Sequence, residues 1–264
     1  GGSGPGGQIF NVGKSKAQLF DADNKVKITF DNVAGLDEAK VEIQEIVEFL
    51  KNPSKFTKLG GKIPKGALLV GPPGTGKTSL VKEGISKILN RPFSFIALGG
   101  ATDSSFLEGH GYTYEGSMWG KIVQILIDSK CMNPVIYFDE LDKISDTPRG
   151  EEIAGILTHL TDTSQNSQFH DKYFADIDFD LSKCLFIFSY NDESKVNPIL
   201  KDRMYRIKTA GYNQKQKTNI SNSYLLPKIR EQVKFSTEDI VIPDATLHYM
   251  IDNYCMKEDG VRNL

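Results

Sequence analysis

The stretch Gly71-Pro72-Pro73-Gly74-Thr75-Gly76-Lys77-Thr78 constrains this chain more than any other. The pattern G-x-x-x-x-G-K-[ST] is a phosphate-cradling loop when a strand leads into it and a helix leads out. Both contexts are legible: Ala67-Leu68-Leu69-Val70 is a short apolar run of buried-strand type, and Ser79-Leu80-Val81-Lys82-Glu83 reads as helix. Glycines let successive backbone N–H groups turn inward on an anion, and the helix N-terminus adds a favourable dipole. Lys77 is spaced to reach the β/γ-phosphates and the Thr78 hydroxyl to hold a metal ion. The expected ligands are ATP and Mg²⁺, contacted along Pro72, Pro73, Gly74, Thr75, Gly76, Lys77, Thr78 and Ser79.

A second stretch supplies the rest of such a site. Val135-Ile136-Tyr137-Phe138 is an apolar, β-rich run that ends in Asp139-Glu140. The first carboxylate can support the metal together with Thr78, and the second can orient and deprotonate an attacking water. Cys184-Leu185-Phe186-Ile187-Phe188-Ser189-Tyr190 is a further strand, and it ends at Asn191, where a polar side chain could sense a γ-phosphate. Phe93 to Ala97 reads as another strand.

Between the strands lie helical periods at Leu36 to Leu50 and Gly116 to Lys130, the second with Ile122, Ile125 and Leu126 on its core face. Strands alternating with helices predict an α/β fold, a doubly wound, mostly parallel sheet whose ligands lie at the strands' carboxyl ends. Beyond Arg206-Ile207 the apolar strands cease, and helical periods run from Gln214 to Gln232 and from Asp244 to Met256. The expected division is a leader over 1–24, a nucleotide-binding α/β domain over 25–210, and a small helical domain over 211–264 that ends short. Gly1 to Gly7 has the composition of a flexible appended linker and is excluded from the fold.

Composition narrows the partners. Lys and Arg number 32 against 34 Asp and Glu, for a formal charge of -2, so no global basic field argues for nucleic acid. Cys131, Cys184 and Cys255 are far apart with no CxxC spacing, which fits a reducing intracellular compartment, cytoplasm or mitochondrial matrix. No apolar run approaches the roughly 18 residues of a membrane span. The four histidines, His110, His159, His170 and His248, sit singly, so H-E-x-x-H is absent from the sequence.

Together, Gly71 to Thr78, Asp139-Glu140, Asn191, Arg203 and the helical C-terminal part resemble the AAA+ ATPases. The resemblance has two sources. From Phe10 to about Thr78, "FNVGKSKAQLF" and "ITFDNVAGLDEAKVEIQEIVEFLKNPSKFTKLGGKIPKGALLVGPPGTGKT" resemble FtsH-type AAA proteases. From about Ser79 onward, "LGGATDSSFLEGHGYTYEGSMWGKIVQ", "NPVIYFDELDKIS", "QNSQFHDKYF", "DLSKCLFIFSYN", "ILKDRM" and "GVRNL" resemble Lon proteases. A join near the phosphate loop reads as an engineered chimera or a natural mosaic.

The resemblance implies roles for single residues. Val33, Ala34 and Gly35 resemble the loop that contacts adenine, Asn191 the first sensor, Arg203 the arginine finger offered to a neighbouring subunit, and Arg262 the second-sensor arginine. Lys77, Asp139, Glu140, Asn191, Arg203 and Arg262 are thus the candidate catalytic set. The segment Gly109 to Gly116 resembles the region that carries a central-pore loop, with Tyr114 as the substrate-gripping aromatic and Tyr112 beside it. It departs from the Lon pattern in Glu115, where an aliphatic residue is expected. Asp162 to Ser182 resembles a Lon-specific insertion, and Asp146 to Gly150 would lie near a second pore loop.

By resemblance the chain is the motor of an ATP-dependent protease, working on unfolded protein as a homo-oligomeric ring, a hexamer. A Ser–Lys peptidase would lie beyond Leu264. The alternative function is an AAA+ ATPase that remodels nucleic-acid or protein assemblies without proteolysis.

Overall fold

The computed structural model describes residues 37–51, 66–113, 115–255 and 258–264. The expected leader, the polar-apolar alternation of Lys25 to Phe30 that reads as a short strand, the adenine-loop candidates Val33, Ala34 and Gly35, and Tyr114 lie outside the described residues.

Helix α1 (Asp37–Lys51) is followed by β1 (Gly66–Val70). Next comes α2, a continuous helix built of Lys77–Ser79, a π-wound stretch Leu80–Ile85, and Ser86–Ile88. β2 (Phe93–Ala97), the short α3 (Ser105–Glu108), α4 (Lys121–Ser129) and β3 (Val135–Asp139) lead to α5 (Pro148–Thr161). A two-stranded antiparallel ladder pairs β4 (Phe169–His170) with β5 (Asp178–Phe179), inside the stretch that resembles a Lon insertion. β6 (Leu185–Tyr190), α6 (Pro198–Arg203) and β7 (Tyr205–Lys208) complete the α/β part.

The five strands order as β2-β3-β6-β1-β7, and every pairing is parallel. Successive side chains of a strand point to opposite faces, so each strand feeds two cores. Phe186 and Phe188 of β6 pack with Ile136 and Phe138 of β3 against Ile122 and Ile125 of α4 and Ile153 and Leu157 of α5. On the other face, Leu185 and Ile187 join Val135, Ala67 and Leu69 beneath Ile43 and Val47 of α1 and Leu80 and Val81 of α2. Helices therefore cover both faces, as the apolar strand runs require when neither face meets water.

Several elements differ from the sequence expectation, among them two helix boundaries and one strand of the main sheet. Helix α4 begins at Lys121, not Gly116, because Gly120 is extended and its N–H is bound by Asp171. The last helical period stops at Tyr254. β7 was not anticipated: Tyr-Arg-Ile-Lys buries only Ile207 fully, the pattern of an edge strand paired on one side to β1.

From Gln214 onward the described elements are helical. The helix α7 runs through Gln214–Ile220, a π-wound Ser221–Leu225 and Leu226–Val233, and α8 is Asp244–Tyr254. Asn213 and Gln216 close a capping box at the start of α7, which satisfies backbone donors on both sides. Among the described residues, no helix is long and apolar enough to cross a membrane.

Candidate active site

In the strand order, β1 lies between β6 and β7, while the chain leaving β1 returns to the far edge at β2. Such a reversal opens a crevice at the strands' carboxyl ends. The crevice here is a cleft of about 330 Å³ lined by Pro73 through Ser79, Tyr137, Asp139, Glu140, Lys143, Asn191, Val261 and Arg262.

The phosphate loop turns where its glycines permit: Gly74 and Gly76 have φ of 75° and 78°, left-handed backbone that L side chains rarely adopt. Thr75 is fully buried, and its hydroxyl donates to Pro72 O at 2.9 Å and meets Thr209 Oγ1 at 3.1 Å. Tyr212 donates its hydroxyl proton to Thr75 O at 2.9 Å. The chain's last described segment seats on the same loop, with Val261 N donating to Gly74 O at 2.9 Å. A Cβ on Gly260 would lie 2.3 Å from Pro73 O, so this approach needs glycine.

Lys77 opens α2 and is only 8% exposed. Its ammonium donates to Gly71 O at 2.7 Å, Pro72 O at 3.0 Å and Asn191 Oδ1 at 3.0 Å. Burial pulls its pKa from 10.5 down to about 8, with Asp139 and Asp142 pulling the other way. Asn191 thus touches the lysine across the crevice. Its backbone N–H, and that of Asp192, donate to Asp142 Oδ2 at 3.2 and 2.9 Å.

Asp139 ends β3 with its Oδ1 accepting from Ser189 Oγ at 2.5 Å and from Glu140 N at 2.9 Å. Glu140 follows in left-handed backbone, φ 60°, a conformation that costs a non-glycine residue on the order of 1 kcal/mol. Its carboxylate pairs with Lys143 at 3.2 Å and faces Gly99, where a Cβ would come within 2.3 Å of Glu140 Oε2. Thr78 and Asp139 offer hard oxygen donors in one cleft, the donor type that suits Mg²⁺ held mainly by waters and phosphates.

The candidate set is therefore only partly gathered. Lys77, Thr78, Ser79, Asp139, Glu140, Asn191 and Arg262 line one cleft. Arg203 does not: its guanidinium donates to Thr158 O at 2.8 Å and pairs with Asp162 at 3.6 Å on an outer surface. Tyr112 is 69% exposed, away from the cleft. Sequence reasoning missed Tyr137, Asp142, Lys143, Ser189, Thr209 and Tyr212. Only Asp142 carried a signal, three residues past Asp139 in Asp-Glu-Leu-Asp.

Residues 67–212, more than half the chain, match the ATPase family associated with various cellular activities (AAA). The chain belongs to the AAA family of ATPases. This AAA ATPase is also 39% identical over 260 residues, 97% of its length, to a Lon protease homolog of Acanthamoeba polyphaga mimivirus. It is 39% identical over 256 residues to a Lon protease of Campylobacter concisus, and 39% identical over 221 residues to a mitochondrial Lon protease homolog of Caenorhabditis elegans, matches that take in 96% and 84% of this chain. It spans only 24%, 31% and 22% of those three relatives. The similarity to the mimivirus relative runs across the expected join near Ser79.

Proposed function

We propose that this AAA ATPase is the motor segment of a Lon-like ATP-dependent protease, hydrolysing ATP with Mg²⁺ to unfold and translocate protein substrates as a homo-oligomeric ring, a hexamer. The observation that carries the reading is the convergence of Lys77, Thr78, Asp139, Glu140, Asn191 and Arg262, from four separate stretches of chain, on one cleft. Similarity to Lon proteases along 97% of the chain supports the substrate class.

In this reading the phosphate loop binds the triphosphate with its backbone N–H groups, and Lys77 exchanges Gly71 O and Pro72 O for phosphate oxygens. Thr78 and Asp139 would hold the metal, which when bound neutralises charge on the β- and γ-phosphates. Ser189 holds the Asp139 carboxylate in place. Glu140 leaves Lys143, orients a water and takes its proton. Asn191 positions the γ-phosphate end, and Arg262 offers positive charge from the C-terminal segment. Arg203, turned outward, serves the cleft of the neighbouring subunit, so hydrolysis depends on assembly. Val33, Ala34 and Gly35 contact the adenine.

Tyr114 and Tyr112 grip an extended polypeptide at the ring's centre. The formal charge of -2 disfavours nucleic acid as substrate. Three free cysteines fit a reducing compartment, cytoplasm or mitochondrial matrix. The FtsH-like text of residues 10–78 is, in this proposal, a variant front half of the same motor, natural or engineered.

The test is ATPase rate per chain against chain concentration, with and without an unfolded polypeptide. The motor reading expects the rate to rise with both. A rate flat in concentration and indifferent to polypeptide refutes it, and stimulation by DNA alone would favour remodelling of nucleic-acid assemblies.

A further inference from the structure

Tyr137 stands two residues before Asp139 on β3, so the strand's alternation puts both side chains on one face. Its ring is fully buried, 6.1 Å from Phe93 and 5.8 Å from Phe95 between ring centroids. The core positions around it on this face, Val135, Leu185 and Ile187, are aliphatic. Only at 137 does this face of β3 carry a hydroxyl, and that hydroxyl has no hydrogen-bond partner. A buried tyrosine hydroxyl normally finds a partner, because leaving it unpaired forfeits the hydration it lost.

The hydroxyl is not idle for want of a direction. Tyr137 lines the nucleotide cleft with Thr78 and Asp139. The Thr78 and Ser189 hydroxyls lie beside it as weak partners short of good hydrogen-bond geometry, and the Ser189 proton is committed to Asp139 at 2.5 Å. A phenol hydroxyl can both donate and accept a hydrogen bond.

We propose that the Tyr137 hydroxyl is reserved for the bound nucleotide, hydrogen-bonding an oxygen of the triphosphate–metal group, either a phosphate oxygen or a water held by the metal. This rests on the reading of the cleft as a site for ATP with Mg²⁺. It makes Tyr137 a ligand-contacting residue that the phosphate-loop and Asp-Glu motifs do not include.

Tyr137→Phe removes the hydroxyl and keeps the ring. Two measurements follow: the thermal midpoint of the ligand-free protein, and equilibrium binding of a fluorescent ATP analogue, with Mg²⁺ and with EDTA. The variant is expected to melt no lower than the parent, because it loses no internal bond, and to bind the analogue with Mg²⁺ about 5- to 10-fold more weakly. Weakening in both conditions assigns the phosphate oxygen; weakening only with Mg²⁺ assigns the metal-held water. Unchanged affinity in both conditions overturns the proposal, and so does a lower midpoint, since the hydroxyl would then be bonded within the fold. A parent that binds no analogue brings down the nucleotide reading itself, whereas a parent and variant that bind equally bring down only Tyr137.

Discussion

Asp171, inside the stretch that resembles a Lon insertion, is a carboxylate with no solvent exposure that binds the end of the loop carrying Tyr112. One oxygen accepts from Gly120 N at 2.7 Å, and the other accepts from Tyr173 N at 2.8 Å. Gly109, at the loop's other end, approaches so closely that a Cβ there would lie 3.0 Å from Asp171 Oδ1. Two further ties join the same segments: Lys172 N donates to Glu108 O at 2.7 Å, and Trp119 stacks on Phe174 at 5.8 Å. Asp171→Asn retains one acceptor and turns an amide N–H₂ toward the other backbone donor. The loss is one charge-assisted bond plus one orphaned buried N–H, about 2–4 kcal/mol against a typical total of about 5–15 kcal/mol. Urea unfolding measures the global part. The local part is read by intrinsic fluorescence, because Trp119 is the chain's one tryptophan and sits in the clamp. The Asn variant should show a lower urea midpoint, red-shifted emission and faster proteolysis within residues 109–120. A change under about 0.5 kcal/mol with unchanged emission would refute the clamp, since surface substitutions alone fall in that range.

Glu140→Gln should keep nucleotide binding and lower the steady-state ATPase rate by about 100-fold or more, because shape survives and the base does not. Arg203→Ala chains mixed with Lys77→Ala chains should regain activity that neither has alone; no rescue in rings shown by light scattering to have assembled counts against a finger acting between subunits. Lys77 carries a lowered pKa, about 8, caused chiefly by burial, so the unfolded chain holds its proton more tightly than the fold does. Its buried charge therefore weakens the fold below about pH 8, and stability returns as pH rises from about 8 toward 10.5, by no more than about 2 kcal/mol. Comparing urea midpoints at two pH values, Lys77→Met should lack that rise; an identical rise in parent and variant would exclude Lys77 as its source.

What the sequence by itself determined is local. Strand, glycine turn, lysine and helix follow one another in Ala67 to Glu83, so their chemistry could be read without any partner. The same holds for an apolar run that ends in Asp139-Glu140, and for the period that buries Ile122, Ile125 and Leu126. Edge strand β7 escaped that reading because a strand paired on one side need not be apolar on both faces. The tertiary structure decided who meets whom. Asn191 reaches Lys77 across 114 residues because β6 pairs beside β1. Arg262 reaches the phosphate loop because Gly260 lets two backbones touch, while Arg203 is turned outward onto Thr158 and Asp162. Tyr137, one aromatic in an apolar run, lines the cleft because β3 sits beside β6, which pairs with β1. Local periodicity encodes which face of an element is buried; it carries no term for the long-range register that sets each buried polar group opposite its partner.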